Sequence, residues 1–329
     1  MIAILAGFSA GITFLIGALD VAGAGTLTAG QGGQSRLPLD VGFMATASIA
    51  AALASKPVRE PVARFVPLDP DNPVHAFALV LAVIFFGTQV STILFTSLAV
   101  SSQSAVGVGD LIAQEAGLLI LAAAGVGIFM RRNASQTAAR LGLVRPAWWH
   151  VALALGAAGV FFAFGLAMDD LSRILTPDIY RQVSSNTNQL FGGLVSAPVG
   201  IAAIALAPAI GEEILFRGAL QPRIGLIATA LLFASFHAQY GLSFDTLGVF
   251  VIALGLGSIR KFTNTTTSAM SHAAYNLLVA VGIADSSLYL AAGVELILIA
   301  ASAYGIWAVR RRQAEVAEGD LDNLARRPQ

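Results

Sequence analysis

Within the apolar runs between positions 205 and 280 stand Glu212, Glu213, Arg217, His237, His272 and Asn276. Ionisable groups are costly in hydrocarbon, so such residues pair with one another or mark a functional site. Glu213 and Arg217 are spaced i,i+4 with the acid first, the favourable orientation for a helical ion pair. Glu212 is rotated by about 100° from Glu213 on a helix, so Arg217 is not its natural partner and its carboxylate is free to face a cavity. His272 and Asn276 are also i,i+4 and share a face. Acids and imidazoles at one level can relay protons, and two histidines with a glutamate can hold zinc. Taken singly, each group also has a structural reading. Glu213–Arg217 can be an ion pair that only holds its helix, and either histidine can be an interhelical hydrogen-bonding group. The other two histidines, His75 and His150, stand at the entrances of apolar runs, where interfacial anchoring accounts for them.

The spacing places these groups at one depth. Pro222, Arg223 and Gly225 mark a turn between two apolar runs. Glu212 and His237 are equally far from that turn, so an antiparallel helix pair sets them level, on the order of 15–19 Å from it. His272 is reached after a similar climb from the Arg260-Lys261 turn. Pro208 precedes Glu212 by four residues. A proline there leaves the Ile204 carbonyl without its helical partner and kinks the helix, which can admit water beside the carboxylate.

Positioning groups in this way requires helices that cross a bilayer, and the composition agrees. Of 329 residues, 56% are hydrophobic and 12% charged, with mean hydropathy +0.76, against roughly 25% charged residues in a soluble domain. Lipid is therefore a partner of most of the surface. Net charge is zero, which excludes a nucleic-acid partner. Without cysteine there is no disulfide framework, thiolate metal site or Cys nucleophile.

Ten apolar runs read as spans, near 2–19, 41–55, 76–100, 110–130, 150–168, 192–222, 225–239, 244–259, 264–283 and 287–309. The second is short and Ala-rich. The first lacks the basic flank of a signal peptide and reads as a retained helix, although small residues follow it from Val21 to Gly25. The expected fold is all-α, a polytopic transmembrane helix bundle with about ten spans. It divides into N-terminal helices and loops (1–189), a core (190–283), and a last helix with a charged tail (284–329). Segment 169–191 reads as an interfacial helix or a polar connector. Asp245 marks a helix start. Glu115, beside Gln114, and Glu295 have no evident partner in the sequence.

Basic residues follow every even span: Lys56, Arg59 and Arg64; Arg131 to Arg145; Arg217 and Arg223; Arg260 and Lys261; Arg310 to Arg312. Those sides should be cytosolic, with both termini inside. Arginine far outnumbers lysine, which points to a GC-rich genome and a bacterial plasma membrane.

Three segments carry a resemblance. Gly211-Glu212-Glu213-Ile214-Leu215-Phe216-Arg217-Gly218 resembles the EExxxR motif of the CPBP family of intramembrane proteases, which includes CAAX prenyl protease 2 enzymes and Abi-type immunity proteins. Phe233 to His237 resembles its FxxxH motif, and His272 to Asn276 its HxxxN motif. All three stand in the family's order, over roughly residues 190–283. The resemblance implies an intramembrane endopeptidase acting on a peptide or protein substrate. Glu212 and His237 would activate water, and His272 and Asn276 would donate to the oxyanion. Glu213, Arg217 and Phe233 would support them. The physics is compatible, since fixed donors in a low dielectric stabilise a tetrahedral intermediate strongly.

No cofactor is needed on this reading. Zinc held by Glu212, His237 and His272 is the alternative, without an HExxH motif to signal it. A non-catalytic membrane scaffold or immunity protein of the same fold competes with the enzyme. So does a proton-relaying transporter, which the lack of internal repeats disfavours. One branch of the family cleaves prenylated CAAX peptides, but no lipid cavity is marked in the sequence, nor is an oligomer interface.

The arginine asymmetry generates a topology test. Reporter fusions after Arg64, Arg145 and Arg312 should report cytosol, and fusions near Ser104 and Asp178 the opposite side. A cytosolic signal at Asp178 overturns the span order.

Overall fold

The computed structural model describes residues 2–21, 37–66, 68–95, 105–282 and 288–325. Among them the chain is helical throughout, without strands. Ala22 to Gly25, behind the first run, and Ser104 lie outside the described residues.

Helices α1 (Ile2–Val21), α2 (Leu37–Leu53) and α4 (Pro73–Phe95) pack together, with the short α3 (Lys56–Val62) between α2 and α4 in sequence. Ala10, Ala50 and Val80 are the buried centre of that group. Small residues set the approach: a side chain on Gly87 would collide with Thr46, and one on Gly42 with Ser91. Close backbone approach of this kind drives helix association where lipid supplies no hydrophobic gradient. The α2–α3 pair bends by 95°.

The second group follows α5 (Val108–Gly125) and α6 (Ala134–Arg140). Its longest member is α7 (Trp148–Leu175), whose 28 residues span about 42 Å. Pro177 then opens α8 (Pro177–Phe191), where it can occupy the first turn because its missing N–H has no intrahelical partner there. Segment 169–191 is thus the end of α7 and a separate helix. That helix buries Val183 and Leu190 and exposes the Asp178–Arg181 ion pair.

Next come α9 (Pro198–Glu212), a π-helical stretch (Glu213–Leu220) and α10 (Gln221–Ile224), which run on as one 27-residue apolar rod. Gly225, at φ 84°, turns the chain into α11 (Leu226–Phe236). A positive φ is what glycine permits at no steric cost. Asp245 lies in the first turn of α12 (Phe244–Phe262), which Ser243 caps; Asn264 caps α13 (Thr265–Val281). α14 (Leu288–Ala325) continues the last run as helix far into the charged tail. α7 packs on α12, α13 and α14, α9 on α5 and α13, and α11 on α12 and α4.

The expectation of about ten spans is met only in part. Among the described residues, four helices are long and apolar enough to cross a membrane, or five if the bent α2–α3 pair is one span. The rod that carries Glu212 and Glu213 is one of the four, while its neighbours fall short for physical reasons. α11 has 11 residues, about 16 Å of the roughly 30 Å needed. α12 has Asp245 in its first turn and Arg260 and Lys261 in its last, and α13 is a 17-residue helix opening on three threonines. Short helices with polar ends are what a site inside a bundle requires.

A loop from the N-terminal half pins α13. Thr265 donates its hydroxyl to the Leu141 carbonyl at 2.6 Å and its N–H to the Gly142 carbonyl at 3.1 Å, and Val144 N–H reaches Thr266 Oγ1 at 3.1 Å. Gly142 has φ +74°, and a Cβ there would stand 2.8 Å from Thr265 Oγ1. Gly142→Ala should therefore destabilise the fold by roughly 1–3 kcal/mol, read as a lowered Tm in detergent. An unchanged melt would show that this loop does not hold the start of α13.

Candidate active site

The centre of the site is the Glu213 carboxylate, which is completely buried, as is Arg217. One oxygen accepts the Ser268 hydroxyl at 2.6 Å and stands 3.3 Å from Arg217 Nε; the other is 3.1 Å from His272 Nδ1. The expected acid–base pair therefore exists, but within a π-helical stretch, and it is one edge of a larger network. Arg217 Nη2 donates to the Ala253 carbonyl at 3.3 Å, and its guanidinium lies 4.2 Å from the Phe233 ring centroid. Arg260 Nε in turn donates to the Arg217 carbonyl. A buried charge needs both a counter-ion and hydrogen bonds to satisfy its remaining sites, and Glu213 has them.

His272 is thereby fixed through Nδ1, which leaves Nε2 for another group. His237 is fixed differently. α11 ends at Phe236, so His237 is not inside a helix as its run implied, but at the cap, with a short 3-10 turn (Ala238–Tyr240) following. Its Nδ1 is 3.0 Å from the Phe233 carbonyl. A carbonyl only accepts, so Nδ1 carries the hydrogen and Nε2 presents a lone pair. Phe233 packs against three partners at once: the His237 ring at 4.9 Å, the His272 ring at 5.9 Å and Phe216 at 5.3 Å. Tyr240 stacks on the other histidine neighbour, its ring 9° from parallel to His237.

Glu212 is 4% exposed, and its Oε2 is buried without a hydrogen-bond partner. It has no ion pair with Arg217, as the helical phase implies. Nor do its oxygens come within 4.0 Å of a histidine nitrogen. The motif helices thus gather at one level, but Glu212 and His237 do not touch. Asn276 Nδ2 donates to the Ile204 carbonyl at 3.3 Å. That is the carbonyl which Pro208 deprives of its helical partner, so Asn276 satisfies it and keeps one amide hydrogen to offer elsewhere.

Among the described residues no three His, Asp or Glu side chains gather in a metal-holding arrangement. Glu212, His237 and His272 are not gathered as a zinc set among the described residues, although His272 keeps Nε2 free while Nδ1 faces Glu213, as a metal-ligating histidine does. An apolar cavity of about 540 Å³ opens between α4, α11 and α12, with Ala234 and Ser235 in its wall, just before His237.

Sequence reasoning missed Ser268, although it stands four residues before His272 and shares its face, a signal that was available. It missed Gln89 as well, which crosses from α4 to donate to the Ser235 carbonyl at 3.2 Å. No sequence signal pointed to that contact.

The fold and site together define a helical membrane protein with a buried glutamate, histidine and asparagine cluster shared by three helical segments. Residues 194–278 match the family model of type II CAAX prenyl endopeptidases, Rce1-like, of the CPBP family, and this segment is similar to that family. The match runs from just before α9 into α13 and leaves α1 to α8 outside it. No curated protein and no solved structure matches the chain.

The ion pair has a measurable signature. Glu213→Ala leaves Arg217 buried and uncompensated and should destabilise by roughly 3–5 kcal/mol. Adding Arg217→Ala should restore part of the thermal stability, since the stranded charge is gone. It should not restore any activity, because His272 is still unheld. If the double variant melts lower than the two single losses summed, the two residues are not a stabilising pair.

Proposed function

We propose that the protein is an intramembrane endopeptidase in which Glu212 and His237 activate a water molecule for attack on a peptide carbonyl. The observation that carries this reading is a buried carboxyl with an unpartnered oxygen on one motif segment and, on the next, a histidine whose Nε2 lone pair is fixed by the Phe233 carbonyl. The match of this segment to a protease family supports the reaction class.

Water sits between the Glu212 carboxylate and His237 Nε2. As its oxygen bonds to the carbonyl carbon, Glu212 takes one proton and His237 holds the other hydrogen in place. General bases of this kind contribute typically about 10²–10⁴-fold. The negative charge that develops on the carbonyl oxygen is met by donors from α13. His272, held by Glu213 at Nδ1, and the second amide hydrogen of Asn276 are both available. The proton on Glu212 passes to the leaving nitrogen as the C–N bond breaks. Glu213, Arg217, Ser268 and Phe233 hold these groups in position without touching the substrate.

The substrate on this reading is a membrane-associated peptide, of the CAAX type in the branch the family model describes. The protein acts in a bacterial plasma membrane with both termini in the cytosol. The reaction runs without a metal.

Glu212→Gln is isosteric and removes only the basic oxygen. It should abolish cleavage of a peptide substrate while leaving the thermal melt unchanged. His237→Ala should cost about as much, and the double variant little more, because residues that act as a unit are non-additive. Asn276→Ala should cost roughly 10²–10³-fold, as for one lost oxyanion donor. Cleavage should survive chelation, and zinc should be absent from the purified protein by elemental analysis. A folded Glu212→Gln protein cleaving at the wild-type rate removes this residue from the mechanism and puts the scaffold reading first. Loss of activity on chelation, recovered with zinc, reinstates the metal.

A further inference from the structure

One buried carboxyl takes no part in that scheme. Glu115, on α5, is 3% exposed. Its Oε1 accepts from the adjacent Gln114 side chain at 3.4 Å, and its Oε2 has no partner. It lies against α9 at Gly211, immediately before Glu212. A Cβ on Gly211 would be driven into the Glu115 carboxyl and would stand 3.0 Å from both its Cβ and its carbonyl oxygen. The glycine is what lets α5 approach so closely. Glu212 is the next residue in the chain.

Two buried carboxyls, each with an unpartnered oxygen, therefore stand on adjoining positions where α5 crosses α9. The nearest cation, Arg217, pairs with Glu213 and lies over Phe233, and makes no ion pair with Glu212 or Glu115; His272 is bonded to Glu213. His237 turns its protonated nitrogen to the Phe233 carbonyl. Two like charges in such a setting repel, and one retained proton would remove the repulsion.

We propose that Glu115 and Glu212 work as one carboxyl pair holding a single proton between them, with Glu115 a positioning residue for the base that activates water. The proposal rests on the proteolytic reading above. In the resting pair the Glu115 hydroxyl donates toward the Glu212 carboxylate. This gives both unpartnered oxygens a partner and leaves one negative charge where two would repel. When the water oxygen bonds to the carbonyl carbon and the carbonyl π pair moves to oxygen, Glu212 takes the water proton, so the pair carries two. One proton leaves on the departing nitrogen as the C–N bond breaks, and the pair returns to its single proton. The base thus comes from the matched domain and its partner from α5, outside it.

The test uses the full-length protein purified in detergent. Infrared difference spectra of wild type minus Glu115→Gln should show the carbonyl stretch of a protonated carboxylic acid, shifted down in D₂O. Wild type minus Glu212→Gln should show it too. On a cleavable peptide, Glu115→Gln should lower kcat by about 10-fold or more, short of the full 10²–10⁴-fold range of a general base, with KM and the melt unchanged. Glu115→Asp, which keeps a carboxyl, should recover part of the loss. Absence of the band in both difference spectra overturns the shared proton whatever the rates, and wild-type kcat in Glu115→Gln overturns the role in catalysis. If Glu115→Gln does not fold, the Glu212→Gln spectrum decides. A wild type that cleaves nothing removes the proteolytic reading, while the band still decides the pair.

Discussion

Everything in the core turns on keeping one negative charge, that of Glu213, in a layer from which water is excluded. An ionised carboxylate there is tolerable only if its lone pairs are met by donors and its charge by a cation. The chain meets this with a hydroxyl, an imidazole and a guanidinium drawn from α13 and the π-helical stretch. The same bonds decide the geometry of the site. His272 has its ring orientation set by Glu213, and Phe233 is trapped between the Arg217 guanidinium and the two histidine rings. Arg260 then ties the end of α12 to the Arg217 carbonyl. Removing the carboxylate would release an imidazole, a buried cation and an aromatic ring together, so stability and chemistry are coupled through one group.

The second constraint is backbone accounting. Hydrocarbon offers no water to satisfy a freed carbonyl, so every break in a helix must be repaired by a neighbour. Pro208 frees the Ile204 carbonyl, and Asn276 closes it from α13. A few residues later the helix widens into the π-helical stretch from Glu213 to Leu220, a form that occurs chiefly at functional sites. Glu212 stands between these two irregularities. Consecutive side chains on a helix are rotated by about 100°, so Glu212 and Glu213 face different surroundings, one with an unpartnered oxygen and one held by three groups. Asn276 satisfies the carbonyl that Pro208 frees and keeps a second amide hydrogen.

Much of this was legible in the residues, and the reasons for what was not are specific. The i,i+4 pairing of Glu213 with Arg217, the orphaned Ile204 carbonyl and the separation of Glu212 from Arg217 follow from helix geometry and proline chemistry. The Gly225 turn followed from turn residues. Hydrophobic runs gave the helices but overstated the number of spans, because hydropathy does not record where an apolar stretch stops being helical. The run near 225–239 contains α11 and the turn after it, and His237 sits at the break. Ser268 was readable from its phase with His272. Glu115 was visible as an acid in an apolar run, yet its meeting with Gly211 is a crossing of helices far apart in sequence, which no local period encodes.

That crossing also bears on where the functional unit ends. The matched segment spans α9 to α13, and its motifs alone account for the groups that would touch a substrate. Yet those groups are held in place from outside it. The Leu141–Val144 loop fixes the start of α13, the helix of Ser268, His272 and Asn276. Gln89 holds the end of α11, where His237 turns out of the helix, and α5 supplies the carboxyl beside Glu212. In a membrane these tethers are directional hydrogen bonds and tight glycine contacts, since burial of apolar surface against lipid tails gives helices little reason to choose one neighbour over another. α11 and α13 lack the length to anchor themselves across the bilayer. The N-terminal helices are therefore part of the frame that holds the polar side chains of these two helices.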